Sequence, residues 1–237
     1  MASSARATRD LLKVDTAEIV RFLKLSTEPN QIVELRLLHV LRHGQRFSVT
    51  MSGYFNDYHA LAESARIHGD AARGVYVTLN PMNPALLARA ANRLRIVERD
   101  DPLTGDSDIT KRRWLPIDLD PVRPSGISSS KEEHQRAVEK AFHIRNTLRG
   151  EGWPAPLVGD SGNGAHLLYS VDLPVNDGDI VKGWLQEFAR RFDDDSVKVD
   201  QAVFNPARIW KLYGTVSRKG DNLPDRPHRL ARILEEP

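Results

Sequence analysis

Four short stretches of this sequence carry side chains whose types and spacing suit chemistry on phosphates. In Arg113-Trp114-Leu115-Pro116-Ile117-Asp118-Leu119-Asp120 an apolar run ends in two acids. Read as a strand, it points Asp118 and Asp120 to the same side, because strand side chains alternate faces. Adjacent carboxylates repel unless a cation neutralises them. The apolar run sets them at the lip of a core, where that repulsion costs more. With oxygen donors alone, such a pair suits hard ions such as magnesium and manganese. An Asp-x-Asp pair is unspecific by itself, since surface turns are also rich in Asp. Val197-Lys198-Val199-Asp200 is a second strand ending in an acid. The neighbouring Asp193-Asp194-Asp195 has no apolar anchor and reads as a solvated helix-exit loop.

Between these lies Asp160-Ser161-Gly162-Asn163-Gly164-Ala165-His166. Two glycines bracket Asn163 in what reads as a hairpin turn. They let the backbone approach a ligand and turn its N–H groups outward. His166 then enters a strand among apolar neighbours, placed to hydrogen-bond a phosphate or a leaving pyrophosphate, or else serving as a satisfied structural histidine. The last stretch runs from Asn205 to Gly220, with Arg208 and Lys211 three apart and Lys219 after a small-residue turn. Cations there can hold a triphosphate, whose charge one metal does not balance. Trp210 and Tyr213 read as core. From Asn205 to Arg232 seven basic residues face only Asp221 and Asp225. That local excess fits a polyphosphate or nucleic-acid site, or a solvated surface, although the net charge is only +2.

The elements that must position these groups follow from periodicity and turn residues. Leu11, Leu12, Val14, Ile19, Val20, Phe22 and Leu23 form a helical stripe that Asp15 or Thr16 caps and Pro29 ends. Gln31–Leu41 reads as a strand, with a helix as the alternative, and His43-Gly44-Gln45 as a turn into a return strand over Phe47–Phe55. A helix over Asp57–His68, a strand over Gly74–Leu79 and a helix over Ala85–Leu94 follow. Residues 99–112 are polar and turn-rich and predict a mobile surface loop and the internal boundary. Beyond it the expected order is a strand to Asp120, a helix from Lys131 to Leu148 with Ser130 and Glu133 as a capping box, a hairpin with strands at 156–159 and 165–171, a helix over Asp179–Phe192 and a strand at 197–200. The remainder reads as irregular. This β-α-β-β-α-β order is that of a ferredoxin-like, or RRM-like, module. In it the first and last strands lie near one another, so Asp200 can join Asp118 and Asp120. The expected division is a helical segment at 1–29, an N-terminal α/β module at 30–110, and the RRM-like module with its basic tail at 111–237.

Composition sets limits. The 237 residues are 40% hydrophobic and 28% charged, ordinary for a soluble globular protein. No apolar run approaches the roughly 20 residues needed to span a bilayer, and the N-terminus lacks the apolar stretch of a secretory signal. These features predict a cytoplasmic protein with no membrane partner. With no cysteine, disulfides, thiolate chemistry and a cysteine-based zinc site are excluded within this segment.

The ordered set of IDLD, SGNGAH, VD and the NPARIWKLYGTVSRKG tail resembles the archaeo-eukaryotic primase superfamily, in particular the primase-polymerases of phages, plasmids and CRISPR systems. The resemblance covers about residues 30–232, and SGYF and GVYVTLNP look like the half that packs beside the family's RRM-like half. It implies an α+β primase-polymerase fold. It also implies template-directed nucleotidyl transfer from dNTPs or NTPs to a primer 3′-hydroxyl or an initiating nucleotide, with release of pyrophosphate. Asp118, Asp120 and Asp200 would hold two magnesium or manganese ions. Ser161, Gly162, Asn163, Gly164 and His166, with Arg208, Lys211 and Lys219, would bind the nucleotide. Tyr76 and Asn80 are possible sugar contacts. Single-stranded DNA template and primer are the implied partners, with a helicase or helical priming domain elsewhere in an excised full-length protein, in a bacterial or phage-infected cell. A metal-dependent nuclease or replication initiator on a related fold is one alternative. The initiator needs a His-x-His pair that is absent here, and His39 and His43 lie four apart without a carboxylate partner. A non-catalytic single-stranded nucleic-acid-binding module is the other. It would present aromatics from its central strands, where LPIDLD and AHLLYS present acids and a histidine.

Overall fold

The computed structural model describes residues 12–41, 44 and 47–237; Leu11 of the expected N-terminal stripe, and His43 and Gln45 of the expected turn, lie outside them. Helix α1 spans Thr16–Ser26. Asp15 caps it by accepting a hydrogen bond from the Glu18 N–H at 3.0 Å. Its Ile19, Phe22 and Leu23, spaced at three and four, are fully buried. The helix stops at Ser26, before Pro29, because Thr27 turns extended while its N–H still bonds the Leu23 carbonyl. Strands β1 (Val33–Val40) and β2 (Val49–Phe55) pair antiparallel, with an irregularity between Leu37 and Val40 where His39 takes φ +52°. Helix α2 (Tyr58–His68), capped by Asp57, leads to β3 (Gly74–Thr78), which pairs with the other side of β1.

The helix expected over 85–94 is not formed. Pro84–Arg89 makes a 3₁₀ segment, and the chain then lies along β2, with Tyr54 donating to Ala90 and accepting from Asn92, before β4 (Arg95–Ile96) pairs with it. The unpaired backbone groups of an edge strand outcompete helical hydrogen bonds here. The 99–112 segment, expected to be mobile, is docked on this sheet. Thr104 and Ile109 are buried, and the Thr104 N–H reaches the buried Glu34 carboxylate at 3.3 Å.

Strand β5 (Arg112–Pro121) is followed by α3 (Lys131–Gly150), whose Ser130–Glu133 capping box is formed as the spacing predicts. Then come β6 (Leu157–Asp160), β7 (Ala165–Leu173), α4 (Ile180–Phe192) and β8 (Val197–Val199). Their sheet order, β6-β7-β5-β8 with antiparallel neighbours, is that of the ferredoxin-like module. The tail is not irregular. It forms β9 (Ile209–Lys211), β10 (Val216–Ser217), β11 (Arg229–Leu230) and β12 (Arg232–Glu235). β10 and β11 pair with each other, β9 pairs with β3, and β12 pairs with β6. The tail thus closes one edge of each large sheet, β4-β2-β1-β3-β9 and β12-β6-β7-β5-β8. Strands of two to four residues are too short to show alternation in sequence.

The two sheets share one core running from Ile19 of α1 to Ile233 of β12. On β5, Leu115, Ile117 and Leu119 are fully buried on one face, and α3 packs on the strand. The alternate residues face the N-terminal half, where the Trp114 indole N–H donates to the Ser26 carbonyl of α1 at 2.9 Å. Two positions further along this second face stand Asp118 and Asp120, where dry packing gives way to a cavity. No helix among the described residues is long and apolar enough to cross a membrane.

Candidate active site

Strand register builds the acidic side of that cavity. Asp118 lies directly across from His166 on β7. On the other side, Leu119 pairs with Val199 of β8, and the Asp200 N–H donates to the Asp118 carbonyl at 2.8 Å. This last bond carries the ladder one residue past β8, so Asp118 stands between His166 and Asp200. The cavity, about 280 Å³, is lined by all three aspartates, by Ser161, Asn163 and His166, and by Tyr76, Arg208, Lys211 and Lys219 from the other side.

His166 is held from three directions. Its Nδ1 lies 2.9 Å from the Tyr213 hydroxyl, its ring lies tilted against Trp210 with centroids 4.1 Å apart, and its Nε2 is 3.5 Å from Asp118 Oδ1. Trp210 and Tyr213 are core residues, as expected, but they also fix this imidazole. Gly159, the cross-strand neighbour of His166 on β6, makes room for them, since any side chain there would run into the Tyr213 ring.

Burial works against ionisation of Asp118. The His166 imidazole, with Lys219 and Arg123 further off, outweighs it and holds the carboxyl below the usual range. Asp120 goes the other way: burial and then the Asp118 charge push it up, against the pull of Lys219 and Arg123. The Arg123 guanidinium lies 3.5 Å from Asp120 and is anchored on the Pro121 and Ile127 carbonyls.

The glycine turn does not behave as the sequence suggests. Its N–H groups point inward. Gly162 donates to Asp160 at 2.6 Å, and Gly164 to the Ser161 hydroxyl at 2.9 Å. Asn163 accepts from the Ser129 N–H at 2.9 Å. Gly162, at φ +85°, and Gly164 do not line the cavity. Gly164 is required because a side chain would collide with the Leu119 carbonyl. Ser161 and Asn163 therefore present side chains rather than a nest of amides.

The basic side comes from the tail. Lys211, directly across from Tyr76 in the β3–β9 pair, is buried; its ammonium donates to the Val216 carbonyl at 3.1 Å and sits 5.8 Å from the centre of the Tyr76 ring. Burial, with the charges of Arg218 and Lys219, brings it down to about 7. Burial, then Asp118 and Asp120, pushes the Tyr76 phenol up. Arg208 bonds the Ala202 carbonyl, and Lys219 is exposed at the rim. Asn80 is not at the cavity. It is buried, donates to the Pro206 carbonyl at 2.9 Å and accepts from the Arg113 N–H at 2.8 Å, so its amide joins backbone segments and has no face for a sugar. The Asp193–Asp195 run is structural as expected, with Asp193 accepting from Val199 and Asp194 from Ser196 while it pairs with Lys140. The sequence reading missed Arg123 and Ser217. Arg123, three residues after Asp120, is the one a charge-balance argument would have found.

The donors suit a hard divalent ion in part. Asp118 and Asp120 leave an unbalanced negative pair on one face, and all the donors are oxygens. Asp200 spends Oδ1 on the Ala202 N–H at 2.8 Å. Among the described residues no three acids or imidazoles stand close enough to enclose an ion. One or two carboxylates completed by substrate phosphates and water is the usual magnesium arrangement, and the pair fits that.

No family model matches the chain, and no curated protein sequence matches it. Two solved structures are similar to it. The crystal structure of primase RepB' is 13% identical with a TM-score of 0.45, over 93% of this chain and 56% of that one. The archaeo-eukaryotic primase domain of the cyanophage S-2L primase-polymerase is 13% identical with a TM-score of 0.46, over 94% and 91%. The chain thus spans a little over half the length of RepB'.

Proposed function

We propose that this chain is a nucleotidyltransferase, and within that class the catalytic core of a DNA primase-polymerase. One observation carries the reading: three aspartates and a buried histidine face Lys211, Arg208 and Lys219 across a single cavity. Acids alone would suit a nuclease, which gives Lys211 no task. A triphosphate gives every charged group in the cavity one.

In this reading the 3′-hydroxyl of a primer, or of an initiating nucleotide, attacks the α-phosphorus of the incoming nucleotide. A P–O bond forms, the bond to the β-phosphate breaks, and pyrophosphate leaves; the hydroxyl proton passes to solvent. Asp118 and Asp120, completed by substrate phosphates and water and with Asp200 lining the same cavity, would hold magnesium or manganese, which when bound supplies activation of the hydroxyl and neutralisation of the phosphates. Asp118 is kept ionised by His166. His166, clamped by Tyr213 and Trp210 with its Nε2 toward Asp118, lines the cavity where the phosphates would lie. Lys211, Arg208 and Lys219 stabilise the charge that gathers on the triphosphate. Tyr76, across the β3–β9 pair from Lys211, would border the nucleotide.

The test is incorporation on a single-stranded template, with and without primer, with magnesium or manganese, using dNTPs or NTPs. Template-dependent products that disappear in Asp118→Asn support the reading. Absence of both products and metal-dependent nucleotide binding overturns it.

A further inference from the structure

A second groove leaves the cavity on its basic side. It has a volume of about 330 Å³ and shares Tyr76 and Lys219 with the cavity. Its walls carry three cations, Arg73, Arg218 and Lys219, with His39 beside them. Arg73 and Lys219 are exposed and have no carboxylate at ion-pair distance among the described residues. Arg218 is shared with Asp70 at 2.7 Å. Backbone bonds fix the wall, since Arg73 donates to the Leu38 carbonyl at 3.1 Å and accepts from Arg218 at 3.4 Å. The bulge that puts His39 at φ +52° turns it out of the β1 ladder. Its Nδ1 lies 3.5 Å from the Ser48 hydroxyl, and the residue next to Ser48 is Phe47, which is 83% exposed.

We propose that this groove carries the backbone of a single-stranded nucleic acid into the cavity, with Phe47 as a stacking platform beside its outer end. An excess of cations lining a groove tracks a phosphate backbone, and an exposed aromatic next to it takes the face of any base. A free nucleotide would need neither the length of the groove nor the aromatic. An acidic protein segment would make no use of Phe47. The inference rests on the proposed function only in taking the strand to be one that the cavity copies or extends; binding itself needs neither nucleotide nor divalent ion.

The experiment measures fluorescence anisotropy of a labelled oligothymidylate of ~20 nucleotides, without nucleotide or divalent ion, on the full chain carrying Asp118→Asn. Arg73→Glu is expected to weaken binding at least about tenfold at low salt and to lower the slope of log K against log salt by about 0.7. Phe47→Ala is expected to weaken it about fivefold or more. Arg149→Glu, on the last turn of α3, leaves binding unchanged. Arg73→Glu binding as tightly as its parent overturns the inference, and so does an equal loss in Arg149→Glu. Arg73-dependent binding in a chain whose unmutated form yields no products would sink the polymerase reading and leave the groove standing. Template-dependent products with binding indifferent to Arg73 would do the reverse.

Discussion

The two walls of the cavity hold their charges in opposite ways. Asp118 is backed by a partner of opposite tendency, and the His166 ring pulls its carboxyl below the usual range in spite of burial. Lys211 has only a carbonyl and an aromatic face, with Arg218 and Lys219 as like-charged neighbours, and burial brings it down to about 7. Asp118 is thus held ionised before anything binds, whereas Lys211 is about half neutral at pH 7. A phosphate restores the missing proton, because an anion beside Lys211 favours the ammonium. The cavity is prepared for cations and completed by anions, and nucleotide binding should take up a fraction of a proton near pH 7.

The hardest blow to this contrast is the double substitution Asp118→Asn with Asp120→Asn. Incorporation should fall at least about a thousandfold in a primer-extension assay. Thermal unfolding should show a melting temperature close to that of the unchanged chain, since the burial and repulsion that raise Asp120 are relieved while the His166 attraction that lowers Asp118 is lost. A double variant with full activity dissolves the acidic wall as a functional unit.

Lys211→Met sharpens the other side. The KM for the nucleotide should rise roughly 10–100-fold, with a smaller change in kcat, as expected for lost triphosphate binding. Stability should move the opposite way. The folded chain releases the Lys211 proton near pH 7 and the unfolded chain near its ordinary 10.5. Between those values the unfolded state holds more protons, so stability of the unchanged protein climbs with pH. The cost of the buried ammonium is therefore full below about pH 7 and gone above about 10.5. Lys211→Met should melt roughly 5 °C higher at pH 6, with the gain shrinking toward pH 10. A gain independent of pH would mean that packing, and not the charge, is responsible.

Smaller effects test the supports. Tyr213→Phe removes the hydroxyl beside His166 Nδ1 and should lower kcat about tenfold, at a stability cost of about 1 kcal/mol. An unchanged kcat would make the histidine clamp purely structural. Ser130→Ala breaks the capping box of α3 and should cost about 1 kcal/mol, lowering the melting temperature without touching activity. It is the reference for a change that affects fold alone.

What the sequence made legible follows the range of the interactions. Asp15 and Ser130 cap helices where their spacing says they should, because a cap is settled within three residues. The alternation of β5 put Asp118 and Asp120 on one face, and the β-α-β-β-α-β order brought the Asp200 backbone beside Asp118, without closing the three acids into one cluster among the described residues. The failures are long-range. Residues 85–94 gave up a helix to pair with β2, and the tail became strands because β3 and β6 had edges to close. The glycine turn misled because its amides had partners, Asp160 and the Ser161 hydroxyl, two and three residues away, and no periodicity reports such bonds. Asn80 suggested a sugar contact by its place just after a strand, and its partners are the backbone at Pro206 and Arg113.

The placement of β9 and β12 bears on how the chain is made. A ribosome delivers β1 to β8 first, yet neither large sheet has its full set of strands until residues 209–235 emerge. Lys211 lies on the strand that completes the first sheet. A nascent or prematurely ended chain would therefore carry open edges, the usual handle for chaperones and proteases, and would lack its basic wall altogether. The strands that close the two sheets and the cations that line the cavity thus lie in one stretch of chain, and an incomplete copy would lack both.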